Sequence, residues 1–275
     1  MPKERFHMLL AEEAAAFQTT RGISRTPVEN HKDAYLLGAV SPDIFFYRLP
    51  TFSLSRYGGS IHRLQGEACL PAFKLWLKQD IPEDLLAWCL GAASHFLADG
   101  LFHPVIQALC DPPSDFHSYA GLTPGQCHHW IESELEAYWL QKKGPPHRYL
   151  PLLRRIQTDV QFTGKYIHHY RHFLAGNGFE PVPGRSAMRS CMNWQAFLLG
   201  QFSHPLWLSL KPLLLRMRIS RSLGVLLVPS EPVLRHSLES YRKTHAEIPD
   251  LCGPDFFRDA VIFLADRLIE LQEHS

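Results

Sequence analysis

The absences in this sequence narrow its function first. Its 275 residues contain no C-x-x-C pair, no H-E-x-x-H, no G-x-S-x-G and no phosphate-cradling glycine-rich loop. Common structural zinc sites, zincin proteases and nucleophile-elbow enzymes are therefore poor fits. Net charge is nearly absent as well, with 28 Lys plus Arg against 27 Asp plus Glu. That balance argues against nucleic-acid binding through bulk positive charge. Alternating β-branched runs of useful length are missing, so little β-structure is expected. The opening Met-Pro-Lys-Glu-Arg-Phe-His has no apolar signal-peptide core, and Glu12 and Glu13 interrupt the run from Ala11 to Phe17. The six widely spread cysteines then read as free thiols in a reducing cytoplasm. The most apolar region, Phe197 to Val228, is broken by His204, Lys211, Arg216, Arg218 and Arg221. No 18-residue uncharged run remains there, and no membrane span is expected.

Helical periodicity fills the chain instead. Apolar positions recur three and four apart over Ile61 to Lys78, Pro82 to Ala98, Pro124 to Lys142, Pro151 to Leu174 and Pro254 to Gln272. Helix-start chemistry opens several of these: Pro82 before Glu83 and Asp84, Thr123 before Pro124, and Gly253-Pro254-Asp255. The expected fold is an all-α bundle of roughly eight to ten helices. Residues 1–144 read as a metal-binding core, and 145–275 as a helical remainder packed on it as one domain. Gly176 to Gly184 is the best candidate for an internal boundary. From Pro181 to Ser230 there are six basic residues (Arg185, Arg189, Lys211, Arg216, Arg218, Arg221) and no acidic one. With +1 overall, that segment is +6 and the remainder −5. It reads either as a solvated basic face or, with Trp207 and its leucines, as a surface for anionic lipid or phosphate.

Sixteen histidines on an average-charge chain are a prompt to look for metal ligands. The densest chemistry is Gly91-Ala-Ala-Ser-His95-Phe-Leu-Ala-Asp99-Gly-Leu-Phe-His103. On a helix, His95 and Asp99 project from one face, as two ligands of one ion must. His103 lies ~12 Å further along than His95, too far to share that ion. Either Gly100 breaks the helix, or His103 serves a second metal with Asp99 between the two. The alternative is a buried His–Asp hydrogen bond. His128 and Glu132 repeat the four-residue spacing, and Glu136 continues their face one turn later. Upstream, His62 follows Gly58-Gly59-Ser60-Ile61, and Asp43 follows Ser41-Pro42, where the proline disfavours helix and places Asp43 in a turn. His129 competes with His128 but has Ser133, not an acid, four residues on. His168, His169 and His172 read as a half-exposed polar face. His31 reads as a surface helix start. Cys127 beside His128 points about 100° away from it and makes a poor nucleophile–base pair.

The ordered set His7, Asp43, His62, His95, Asp99, His103, His128, Glu132 resembles the zinc-dependent phospholipase C family, relatives of bacterial phosphatidylcholine phospholipase C and the P1/S1-type nucleases. The likeness runs from Phe6 to about Leu140: His7 on a helix, Ser41-Pro42-Asp43, Ser60-Ile61-His62, H-x-x-x-D at His95 and Asp99, then His103, and H-x-x-x-E at His128 and Glu132. The resemblance implies that Asp43, His62, His95 and Asp99 hold one zinc and that His103, His128 and Glu132 hold a second. His7 and Asp99 would contribute to a third, with Asp99 bridging. The secreted phospholipases complete that third site with a processed N-terminal Trp; no Trp precedes His7 here, so the implied count is two or three ions. The implied activity is zinc-dependent hydrolysis of a phosphoester, preferably a phosphodiester in a phospholipid or related substrate. Asp43 would be both a ligand and the group that orients or deprotonates the attacking water.

Phe45, Phe46 and Tyr47 read first as packing and second as the lining of a headgroup pocket. Two other functions compete: a metal-stabilised, largely non-catalytic scaffold or membrane-surface module, and a P1-like nuclease, which the near-neutral charge disfavours. The expected location is the cytoplasm, with peripheral contact at the inner membrane face.

Overall fold

The computed structural model describes residues 4–22, 26–49, 51, 53–111, 114, 116, 121–144, 146–201, 205–216, 221–229 and 232–273. His117, His204, Arg218 and His274 lie outside them, as do the side chains of Trp207 and Arg221. Fourteen α-helices and no strand occur among the described residues. In chain order they are α1 Glu4–Thr20, α2 Thr26–Asn30, α3 Lys32–Gly38, α4 Ser55–Ile61, α5 Leu70–Leu77, α6 Glu83–Cys110 and α7 Pro124–Lys143. There follow α8 Leu150–Thr158, α9 Val160–Gly176, α10 Arg185–Gln201, α11 Pro205–Arg216, α12 Arg221–Leu226, α13 Leu234–Arg242 and α14 Pro254–Gln272. A 3₁₀ turn, Ser41–Tyr47, sits between α3 and α4.

The all-α reading stands, with more and shorter helices than the periodicity suggests. Ile61 to Lys78 is not one helix, because Gly66 adopts a φ of 66° and two short 3₁₀ turns precede α5. Pro151 to Leu174 divides at Asp159, which caps α9 by accepting a hydrogen bond from the Phe162 amide at 2.8 Å. Start signals fare better. Thr123 caps α7, accepting from the Gln126 amide while the Gln126 side chain returns to the Thr123 amide, and Pro124 follows at the first turn.

Helix α6 organises the rest. It is the longest helix among the described residues, and by length and composition alone it could cross a membrane. Its apolar window is 83% buried inside the protein, as the core helix of a bundle should be. Helices α1, α2, α3, α5, α7, α9 and α14 all touch it. Gly100 does not break it, and Pro104 is accommodated within it. The closest approach is to α3, where two glycines face each other's backbone. A Cβ on Gly91 would stand 1.9 Å from the Tyr35 carbonyl oxygen, and one on Gly38 would stand 2.1 Å from that of Trp88. Further along, a Cβ on Gly100 would lie 2.3 Å from the Gly66 Cα. These three contacts bring α3 and the loop before α5 against the stretch of α6 that holds His95, Asp99 and His103.

The turn after α3 is fixed by polar groups. The Ser41 hydroxyl donates to the Leu37 carbonyl at 2.7 Å and accepts from the Trp88 indole N–H at 3.0 Å. From the other side, the buried Gln195 of α10 donates to the Val40 carbonyl at 2.9 Å. Asp43 is thereby placed at a defined height along α6. Gly91→Ala should destabilise the protein by ~3 kcal/mol, because the clash is with backbone that cannot rotate away. Thermal unfolding should show a midpoint lowered by roughly 6–12 °C, whereas Gly125→Ala, with open space around it, should leave the midpoint unchanged or slightly raised.

Candidate metal centre

Five segments deliver the eight residues singled out in the sequence: α1 (His7), the Ser41–Tyr47 turn (Asp43), the end of α4 (His62), α6 (His95, Asp99, His103) and α7 (His128, Glu132). All eight meet in one connected cluster. Asp99 stands at its middle and faces both ways. Its Oδ2 lies 3.3 Å from His62 Nε2 and 3.4 Å from His95 Nε2. Its Oδ1 lies 3.4 Å from His7 Nε2 and 3.5 Å from His103 Nε2. Asp43 Oδ1 closes the first side at 3.1 Å from His62 Nε2 and 3.7 Å from His95 Nε2. Glu132 Oε1 closes the other, 3.7 Å from His103 Nε2 and 2.7 Å from His128 Nε2. Because α6 is continuous, His103 belongs to the far side of Asp99 and not to the group around His95.

Three sets each offer ligand atoms within 4.8 Å of one another: Asp43, His62 and His95; His7, His95 and Asp99; and His103, His128 and Glu132. Two observations show that these residues suit a cation better than one another. Ligand atoms ~2.1 Å from a tetrahedral zinc stand ~3.4 Å apart, and most of the contacts above fall near that spacing rather than at hydrogen-bond length. Moreover, His7 Nε2, His95 Nε2, His103 Nε2 and both oxygens of Asp43 and of Asp99 are buried without a hydrogen-bond partner. Orphaned buried polar atoms are costly, and here they point inward together. This geometry weighs against the reading of a self-satisfied His–Asp pair.

Ring orientation is set from behind, and the sequence gives no sign of it. The His95 Nδ1–H donates to the Ala39 carbonyl and the His62 Nδ1–H to the Gly58 carbonyl, each at 2.9 Å. Each bond holds the proton on Nδ1 and aims the Nε2 edge of the ring at the cluster. The guanidinium of Arg5 grips Glu136 at 2.6 and 2.8 Å, with both groups buried. Glu136 is thus a clamp between α1 and α7 rather than a ligand, and it holds His7 against α6. The Tyr47 hydroxyl donates to the buried Glu4 beside it. Residues 131 apart share no spacing rule; the one sequence hint was that Glu136 follows Glu132 by a turn.

Electrostatics agree with this arrangement. Burial and the neighbouring His95 lower the His7 pKa to about 4, despite Asp99 nearby, so His7 is neutral at pH 7. Its ring stacks on that of His95 at 3.9 Å. Burial pulls His95 down, but Asp99 and Asp43 outweigh it and raise the pKa to about 9. Burial likewise opposes ionisation of Asp99 and Asp43, yet His95 and the other imidazoles hold both below the ordinary carboxylate range, Asp99 well below.

Among the described residues, no other histidine belongs to one of the three sets. His129 reaches the outer oxygen of Glu132 at 3.3 Å and is 39% exposed. His31 faces Glu83 at 3.6 Å, and His168 sits beside His172 and Arg185 on the surface. Cys127 is a buried thiol. Phe45 and Tyr47 are buried packing, whereas Phe46 is half-buried beside the His62 ring at 5.5 Å.

The purified protein should carry about two to three zinc ions per chain, and Asp99→Ala should cost more than one of them by elemental analysis, since its two oxygens face different sides. Full zinc in that variant would disprove the bridging assignment. Zinc must also displace the proton that His95 holds up to a pKa of about 9. Apparent affinity, measured by chelator competition, should therefore rise by up to about tenfold per pH unit towards that value and flatten above it.

A comparison with curated proteins and one with solved structures found no match. A comparison with family profiles did: the one described as "Zinc dependent phospholipase C" matches residues 6–176, a span that contains the whole cluster and continues to the end of α9. Covering more than half of the sequence, the match shows that this chain belongs to the zinc-dependent phospholipase C family.

Proposed function

We propose that the chain is an active phosphodiester hydrolase whose substrate is a phospholipid or a related phosphodiester, with His7, Asp43, His62, His95, Asp99, His103, His128 and Glu132 holding two or three zinc ions. Family membership supports phosphoester hydrolysis, and the double-facing Asp99 is the observation that carries the catalytic reading. Zinc supplies a Lewis acid that activates water at neutral pH and offsets the charge of phosphate oxygens.

The chain's own residues divide the remaining work by depth. Asp99, Asp43 and His95 have no exposed side-chain surface, and His7 has only 2%. They form the floor and keep its geometry. His62, His103 and His128 are 13–20% exposed. They form the rim, where a phosphoryl group can approach. Asp43 stays ionised because His95 and His62 stabilise its charge against burial; it accepts the proton of the attacking water while remaining a ligand. The open rim also weighs against a sealed, purely structural cluster. Six buried free thiols suit a reducing compartment, and we place the protein on the cytoplasmic side.

Asp43→Asn should reduce turnover of bis-p-nitrophenyl phosphate by at least ~100-fold while losing no more than one zinc. Phosphorylcholine esters should be cleaved in preference to single-stranded DNA, and chelator should abolish both activities. A zinc-loaded wild-type protein inactive on every one of these esters would favour the scaffold reading. Faster cleavage of DNA would favour the nuclease.

A further inference from the structure

Exposed large hydrophobic side chains are unevenly placed on this molecule. Of the eight among the described residues, five fall between positions 194 and 213: Trp194, Phe197, Leu206, Leu210 and Leu213, each 37–60% exposed. The three leucines recur four and three residues apart and so form one stripe along α11. Trp194 and Phe197 share one face of α10 with Ser186, Arg189, Ser190 and Asn193, and these six line a groove of about 480 Å³.

The same stretch is the part of the chain that carries six basic residues and no acid. Its charges sort by direction. Lys211 turns inward, donating to the Leu227 carbonyl at 2.8 Å with buried Glu134 at 3.8 Å. That bond ties α11 to the body of the protein and leaves the leucine stripe outward. Arg185 and Arg216 are exposed, and Arg189 lines the groove. The exposed faces of α10 and α11 thus each combine apolar side chains with a cation, in a segment without an acidic residue, and this composition matches the interface of an anionic bilayer. A second copy of the chain would set basic residue against basic residue across a two-fold axis, which is unfavourable. The buried side of α10 packs on the turn that carries Asp43, through Gln195 and Val40.

We propose that the outer faces of α10 and α11 dock on an anionic phospholipid surface. Trp194, Phe197 and the leucines enter the headgroup–acyl boundary, and Arg185, Arg189 and Arg216 meet lipid phosphates. Docking there sets one helix between the bilayer and the turn bearing Asp43. This surface is independent of turnover, although it gains its purpose from the phospholipid reading above.

The test is cosedimentation of the full-length, zinc-loaded protein with vesicles of pure phosphatidylcholine and of phosphatidylcholine with about 30% phosphatidylserine. Binding should favour the anionic vesicles at least ~10-fold and weaken as salt rises. The double variant Trp194→Ala with Phe197→Ala, and separately Leu206→Ser with Leu210→Ser, should each reduce binding by about tenfold or more. Arg185→Glu with Arg189→Glu should remove the preference for anionic lipid. All three should keep the wild-type unfolding midpoint and the wild-type rate on a soluble phosphodiester, which separates lost docking from lost folding. Equal or absent binding of the wild type to both vesicles would overturn the proposal, and so would variants that bind like it. A wild-type dimer that the Trp194 and Phe197 changes convert to monomer would overturn it in favour of a second copy. A protein that docks but cleaves no ester would leave this surface standing and defeat the hydrolase reading instead.

Discussion

Two ionised carboxylates buried in the heart of an apolar bundle dictate the rest of this structure. Neither Asp43 nor Asp99 has any exposed surface, and an isolated buried carboxylate costs several kcal/mol or more. The bundle compensates by bringing imidazoles from α1, the end of α4 and α6 to them. The histidines alone do not finish the task, since both oxygens of Asp43 and of Asp99 are left without a hydrogen-bond partner. A cation between them would complete the coordination, and on this physical ground the cluster and the family assignment agree.

Each helix then has a duty defined by that centre. Helix α6 presents His95, Asp99 and His103 on one continuous face, and its glycines admit α3 and the Gly66 loop at backbone contact. Arg5 and Glu136 pin α1 to α7. Ala39 and Gly58 offer carbonyls that aim two rings. Toward the other side, α10 joins the Asp43 turn to a surface of opposite character, aromatic and basic, while Lys211 and Glu134 hold α11 to α7.

Much of this was legible in the sequence because its rules are local. Four-residue spacing on a helix is a physical statement, so the pairs His95–Asp99 and His128–Glu132 could be read before any coordinates. The order of the eight residues suggested a family, and the family was found. What spacing cannot express was missed. The Arg5–Glu136 clamp, the carbonyl partners of His62 and His95 and the Gly38–Gly91 crossing all join distant positions, and nothing in a run of residues announces them. Helix division at Gly66 and Asp159 escaped for a different reason: apolar periodicity persists through a break when both pieces bury the same side. The +6 segment was read as a uniform property, whereas Lys211 turns inward and only part of the charge reaches solvent.

The crossing of α3 and α6 bears on how quickly bound ions come and go. Two backbones already touch there, so the helices have no slack with which to breathe in place. Each candidate ligand set also spans at least two segments, so no single helix can release an ion by fraying at its end. Release from the floor formed by His7, Asp43, His95 and Asp99 would need a larger separation of the packed helices, a rare excursion in a folded core, whereas His62, His103 and His128 already reach solvent. An ion held on that floor would therefore leave more slowly than one held at the rim, and the two sides of Asp99 would empty at different rates when metal is scarce.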